Sequence, residues 1–186
     1  QLVDLNNDGL LDLIVSNFYA YKATNSKESR LAYYQNTGSI SNPKFTLVDV
    51  NFLNLSQSNL GLRLFPTFGD LNGDGKADMI IGLENGSLAY YQNTTSGSNP
   101  SFAAPILNYA AQSGTVMNVG QYASPQLFDL NNDGKLDLIL GKKTGELSYY
   151  ENTGTIANPA FVLMNNELGM VDTDSLTPDG YSVPRF

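Results

Sequence analysis

The sequence predicts an all-β protein, a β-propeller of four-stranded antiparallel blades. Three observations lead there. A set of landmarks recurs three times, the segments between turns are short and apolar with no helical periodicity, and one strand in each repeat is apolar on both faces. About three blades fit into the 186 residues. A closed ring usually has ~4 to 8 blades, so the chain, which begins at Gln1, is expected to be an excised piece of a larger propeller.

The repeat is set by a loop that starts at Asp4, Asp70 and Asp129, at spacings of 66 and 59 residues. Tyr-Tyr-x-Asn-Thr follows at 33–37, 90–94 and 149–153, and then Asn42-Pro43, Asn99-Pro100 and Asn158-Pro159. The first period is longer by an insertion of nine residues within Ser16 to Arg30, a polar stretch suited to a long surface loop. These landmarks place repeat 1 at about 1–65, repeat 2 at about 66–124 and repeat 3 at about 125–183. Pro66 and Pro125 each stand four residues before a loop aspartate, so 184–186, beginning at Pro184, are expected to start the next blade.

Within a repeat four strands are expected, illustrated by the third. Ser124 to Phe128 leads into the Asp loop and Leu136 to Gly141 leaves it. A turn at Thr144-Gly145 precedes Glu146 to Asn152, and Ala160 to Met164 follows the Asn-Pro turn. Asp12-Leu13-Ile14-Val15, Asp78-Met79-Ile80-Ile81 and Asp137-Leu138-Ile139-Leu140 do not alternate polar with apolar, which marks a strand covered on both sides. Small sheets stacked face to face around an axis satisfy that requirement.

Composition removes several chemistries. The chain has no cysteine and no histidine, which excludes disulfides, thiolate nucleophiles, cysteine-bound metals and the usual general base. No apolar run approaches the roughly 20 residues of a membrane-spanning helix. A net charge of −8 argues against nucleic acid and anionic membranes as partners. Nine of the 18 acidic residues lie in the three loops, so the rest of the surface is nearly balanced.

In DLNNDGKLD, residues 129–137, the side chains of Asp129, Asn131, Asp133 and Asp137 and the carbonyl of Lys135 can present oxygens to one ion. The equivalents are Asp4, Asn6, Asp8, the Leu10 carbonyl and Asp12, then Asp70, Asn72, Asp74, the Lys76 carbonyl and Asp78. Calcium takes 6 to 8 oxygens at roughly 2.3 to 2.6 Å, and an oxygen-only donor set selects it over zinc or copper. Gly134 supplies the positive φ that wraps the chain around the ion. Carboxylates ~5 Å apart at an effective dielectric near 20 repel by roughly 3 kcal/mol per pair. Three calcium ions, one per loop, would bring the formal charge from −8 to −2. An EF-hand is excluded because its position-twelve glutamate is replaced by Val15, Ile81 and Leu140. Ion-free, Asx-stabilised hairpin turns are the alternative.

The pattern Asp-x-Asn-x-Asp-Gly-x-x-Asp-Leu followed by a strand resembles the FG-GAP or VCBS repeat of integrin-α-like propellers, and it does so in all three repeats. The Tyr-Tyr-x-Asn-Thr and Asn-Pro-x-Phe elements are similar to Bacteroidetes-type surface proteins. The resemblance implies calcium at the residues named and an extracellular or cell-surface location, in a secreted or outer-membrane-associated bacterial protein. One departure is asparagine at position three in every copy, which lowers the ligand charge.

The tyrosine pairs at 33/34, 90/91 and 149/150 are expected to pack between blades, whereas Tyr19, Tyr21 and Tyr122 lie nearer loops where an aromatic face could stack on a sugar. Glu84, Glu146 and Glu151 are expected to be solvated, leaving no catalytic carboxylate pair outside the loops. Asn54-Leu55-Ser56, Asn85-Gly86-Ser87 and Asn93-Thr94-Thr95 match the N-glycosylation acceptor, and Asp174-Ser175-Leu176 is similar to a bacterial O-glycosylation acceptor. The sequence thus points to a non-enzymatic, calcium-rigidified module. Its variable loops, 16 to 30 above all, would meet a protein partner or, as the alternative, a glycan, in the manner of a lectin or an accessory domain of a secreted enzyme.

Overall fold

The computed structural model describes residues 1–173 and 180–185. Its strands in chain order are β1 (Leu2–Val3), β2 (Asp12–Ser16), β3 (Ala20–Tyr21), β4 (Lys27–Glu28), β5 (Leu31–Asn36), β6 (Phe45–Asp49), β7 (Phe65–Gly69), β8 (Asp78–Gly82), β9 (Leu88–Tyr91), β10 (Ile106–Leu107), β11 (Ser124–Phe128), β12 (Asp137–Gly141), β13 (Leu147–Asn152) and β14 (Phe161–Asn165). They form three four-stranded antiparallel sheets, ordered β1-β2-β5-β6, β7-β8-β9-β10 and β11-β12-β13-β14, with β3-β4 as a separate hairpin. Among the described residues helix is confined to two 3-10 turns, Phe52–Gln57 and Leu168–Met170, which agrees with the absence of helical periodicity. Residues 174–176, with their acceptor-like motif, and Phe186 lie outside the described residues.

Alternation along the second strand of each sheet explains the double-sided apolar pattern. Met79 and Ile81 of β8 pack with Ile14, Leu31 and Tyr33 of the first sheet, while Ile80 packs with Leu127, Leu138 and Leu140 of the third. The middle sheet is therefore sandwiched, and all five residues of β8 are buried. In β2 the same pattern meets a neighbour on one side only. Ile14 is buried, but Val15 on the opposite face is 44% exposed.

Consecutive sheets are joined by a repeated backbone crossing. The Ala123 and Tyr122 amides donate to the Leu83 and Glu84 carbonyls just beyond β8, and the Ser182 and Tyr181 amides donate to Lys142 and Lys143 just beyond β12. The crossing chain comes so close that a Cβ at Gly82 or Gly141 would run into the carbonyl oxygen of Ala123 or Ser182. At 184–185 the expected strand is not formed, although Pro184 lies against Gly141 of β12 and Arg185 beside β2 and Pro66.

Two local expectations are corrected. The insertion, expected as a long surface loop, folds into a hairpin, since β3 pairs with β4. Asn25 adopts a left-handed turn (φ 60°), Lys22 pairs with Glu28 at 3.1 Å, and the Lys27 ammonium sits 4.2 Å from the centre of the Tyr19 ring. In the second repeat the outer strand does not follow the Asn-Pro turn directly. Phe102 makes a single bridge to Asn93, and β10 starts only after Pro105, which has no amide to continue the ladder.

Replacing Gly82 with Ala is expected to cost about 1–3 kcal/mol, because the added methyl meets backbone that cannot yield. Gly97→Ala, where a Cβ meets nothing within 4 Å, serves as the control and should be neutral or slightly stabilising. Urea unfolding midpoints decide between them.

Candidate metal centre

The three Asp loops connect the first strand of each sheet to the second, and all three lie at the same end of their sheets. Position six is left-handed in each, at Gly9, Gly75 and Gly134 (φ 85°, 81° and 84°). Position four is also left-handed, at Asn7, Gly73 and Asn132, residue types that tolerate that region. These two reversals fold the loop back on itself and gather the side chains of positions one, three and five.

The gathering is specific. The amide of Asp8 donates to both Asp4 Oδ1 and Asn6 Oδ1, each at 3.2 Å. The same pair of oxygens meets the amide of Asp74 (3.2 and 2.9 Å) and that of Asp133 (both 3.0 Å). The position-six glycine amide donates to the other oxygen of the first aspartate at 2.8 Å in every loop. Position five accepts from the position-seven amide, at 2.9 Å for Asp8 and Asp74 and 3.0 Å for Asp133. It also accepts from the position-three amide nitrogen, as Asn6 Nδ2 to Asp8 Oδ2 at 2.8 Å. Backbone dipoles thus offset the carboxylate repulsion anticipated from the sequence.

The fourth aspartate is placed elsewhere. Asp12, Asp78 and Asp137 are fully buried behind the loop, each holding three donors. Oδ2 of Asp78 accepts from the Leu71 amide at 3.1 Å and the Tyr90 hydroxyl at 3.0 Å, and Oδ1 from the Asn93 amide at 2.8 Å. Asp12 repeats this with Leu5, Tyr33 and Asn36, and Asp137 with Leu130, Tyr149 and Asn152. Recurrence of the fourth carboxylate thus has a hydrogen-bonding cause of its own, and does not by itself speak for an ion. Burial pushes the Asp12 and Asp78 carboxyls above the ordinary aspartate value, opposed first by the Asn36 or Asn93 amide and then by the tyrosine hydroxyl. Burial, reinforced by the neighbouring aspartate, raises Tyr33, Tyr90 and Tyr149, so these hydroxyls stay protonated as donors.

The first tyrosine of each pair and the asparagine three residues on are thus components of the site that the sequence reading did not place there. A signal existed in the spacing. From Asp78 and Asp137 the tyrosine is 12 residues on and the asparagine 15, while from Asp12 they are 21 and 24, the difference being the nine-residue insertion. Asn93 is buried, and its Nδ2 donates to Leu5 and Ala77, which removes it as a glycosylation acceptor in the folded chain.

Among the described residues no three acidic side chains converge as a ready metal cage. The oxygens nevertheless suit a hard cation. Positions one and three point an oxygen each at one spot, position five lies beside them, and Asp12, Asp78 and Asp137 keep a second lone pair on the Oδ1 that accepts a single amide. The third loop carries a cation of its own. The Lys135 ammonium lies 2.9 Å from Asp133 Oδ2 and also donates to the Asn152 carbonyl at 2.7 Å. That hydrogen bond holds the Asp133 carboxyl below its usual value.

Outside the loops, Glu84 accepts from the Leu62 amide, and Glu146 pairs with the buried Lys142 ammonium at 3.0 Å. Tyr19 and Tyr21 lie on the insertion hairpin, edge to face at 5.6 Å, and Tyr122 lies at the sheet-to-sheet crossing. The family model of the FG-GAP-like repeat matches residues 4–81 and 70–140, which together span well over half of the chain. No curated protein and no solved structure matches it.

Asp78→Ala strands three donors in the core and is expected to cost about 3 kcal/mol or more, even in chelator. Tyr90→Phe removes one of the three and should cost about 1 kcal/mol. Chemical denaturation of both variants in chelator checks the ranking, and equal losses would remove the buried carboxylate from its central role.

Proposed function

This chain belongs to the FG-GAP-like repeat family, and on that premise we propose that it acts as a calcium-stabilised, non-enzymatic interaction module of a secreted or cell-surface protein. Its three sheets would be blades of a larger β-propeller. The double-sided burial of β8 and the repeated crossings after β8 and β12 support radial stacking, because each blade hands the chain to the next in the same way.

The observation that carries the calcium reading is the threefold convergence of position-one and position-three oxygens on a single amide. Asp4, Asn6, Asp8, Leu10 and Asp12 would hold the first ion. Asp70, Asn72, Asp74, Lys76 and Asp78 would hold the second, and Asp129, Asn131, Asp133, Lys135 and Asp137 the third. Leu10, Lys76 and Lys135 would each supply a backbone carbonyl. A divalent cation there neutralises the clustered carboxylates and ties the loop to the buried aspartate behind it. Its role on this reading is structural.

A protein is the partner we favour, and the insertion hairpin is the surface that suits it. Phe18, Tyr19 and Tyr21 stand out from the sheets, with Tyr21 62% exposed, on a hairpin braced by the Lys22–Glu28 ion pair. Rigid, partly exposed aromatics of this kind give contact area at low entropic cost. An extracellular setting accords with the family, and among the described residues no helix is long and apolar enough to cross a membrane.

Thermal unfolding with excess calcium against chelator, beside a calorimetric titration, tests the proposal. A rise in Tm with about three sites per chain is expected, each site adding about 2.7 kcal/mol when calcium is one hundred times its Kd. An Asp70→Asn, Asp74→Asn double variant should lose one site. Absence of any shift or binding would leave the loops as ion-free turns. Lys135→Ala removes a built-in competitor, so it should tighten the third site, and an unchanged or weaker site would show that the lysine does not oppose the ion.

A further inference from the structure

Opposite the Asp loops, at the other end of the inner strands, equivalent residues of the three repeats close around a second site. Arg63, Tyr122 and Tyr181 are spaced 59 residues apart, as are Phe65, Ser124 and Val183. All six line one cavity of about 450 Å³, together with Phe18 from the insertion. Phe65 to Asp70 is roughly 17 Å of extended chain, so the cavity is remote from the loop oxygens.

Its polar groups are few and unusually placed. The Arg63 guanidinium carbon lies 4.1 Å from the Phe18 ring centre, 4.3 Å from that of Tyr122 and 6.0 Å from that of Tyr181. Tyr122 and Tyr181 themselves meet at 5.3 Å. This clamp fixes the guanidinium by its faces and leaves its edge without a partner. Arg63 Nη1 is buried with no hydrogen bond, and no ion pair engages Arg63 among the described residues. Ser124, 1% exposed at the wall of the same cavity, likewise has a buried Oγ with no partner. Two unmet polar groups in one apolar cavity are costly unless something fills the site. In a chain of net charge −8, no acidic side chain lines the cavity among the described residues.

We propose that this aromatic cavity binds a small carboxylic acid with a flat apolar body, its carboxylate accepting from Arg63 and Ser124. A planar carboxylate matches the guanidinium edge, and the Ser124 hydroxyl supplies a further donor. The rings of Phe65, Tyr122 and Tyr181 form the rest of the wall and suit an aromatic body. A sugar ring, studded with hydroxyls, would leave most of them unpaired against such walls. The site does not rest on the calcium reading, since none of its lining residues belongs to an Asp loop.

The test is calorimetric titration of the chain in chelator with phenylacetate, with 2-phenylethanol as the uncharged body and glucuronate as a carboxylate on a polar ring. Saturable binding of phenylacetate, tighter than either comparator, is expected. Arg63→Lys should weaken it about tenfold or more. Ser124→Ala should weaken it severalfold while leaving cooperative unfolding intact, because that hydroxyl bonds to nothing in the fold and its loss cannot act through stability. No binding of phenylacetate, equal binding of 2-phenylethanol, preference for glucuronate, or undiminished binding by Ser124→Ala would each overturn the proposal.

Discussion

The structure depends on one buried carboxylate per repeat. Asp12, Asp78 and Asp137 each tie the second strand of their sheet to two other pieces of chain: the start of the Asp loop through a leucine amide, and the third strand and its end through a tyrosine hydroxyl and an asparagine amide. Burying a charge is expensive, and only a full set of strong donors makes it tolerable. The arrangement is therefore all or nothing, which accounts for the joint recurrence of the aspartate, the first tyrosine and the asparagine. The asparagine then serves twice. In the first and third repeats its side chain accepts from the amides that close the following turn, Gly38 and Lys44 on Asn36, Gly154 and Ala160 on Asn152.

Anchoring at one end leaves the two ends of the inner strands chemically unlike. At the loop end, carboxylates and amides are gathered by left-handed turns, and the surface is polar and acidic. At the other end, the chain crosses from sheet to sheet so closely that glycine is required at 82 and 141, and the residues just before each inner strand turn their side chains to one aromatic cluster. Arg63, Tyr122 and Tyr181 are all left-handed, with φ of 58°, 56° and 44°. Bulky residues in that region carry strain. The repeated crossing holds them there, since the amide of each is committed to a carbonyl of the preceding sheet's connection.

Departures from the repeat fall where the anchor does not reach. The nine-residue insertion enters between β2 and β5, and the buried hydrogen bonds from Tyr33 and Asn36 to Asp12 are unchanged by it. The outer strand of the middle sheet is displaced to Ile106–Leu107, while the two inner pairs keep their register. In the third loop Lys135 reaches across to Asp133 and Asn152, giving that loop a cation of its own.

Much of the chain was legible because its information is local and repeated. Three copies of Asp-x-Asn-x-Asp-Gly announced the loops, and β11 and β12 fall within a residue of where turn signals and apolar runs put them. The left-handed glycine at position six followed from the absence of a side chain. What the sequence determined by itself was thus the number of repeats, most of the strands and the turns of the loops, because period and turn residues are properties of neighbouring positions. Tertiary structure decided the rest: that Asp78 looks inward to Tyr90 and Asn93, that residues 20–28 pair into a hairpin, and that Phe18, Arg63, Tyr122 and Tyr181 meet. The spacing of Tyr90 and Asn93 from Asp78 can be read along the chain, but not that the three side chains face one another, and the members of the aromatic cluster lie 45 to 163 positions apart and meet only where the chain crosses from sheet to sheet.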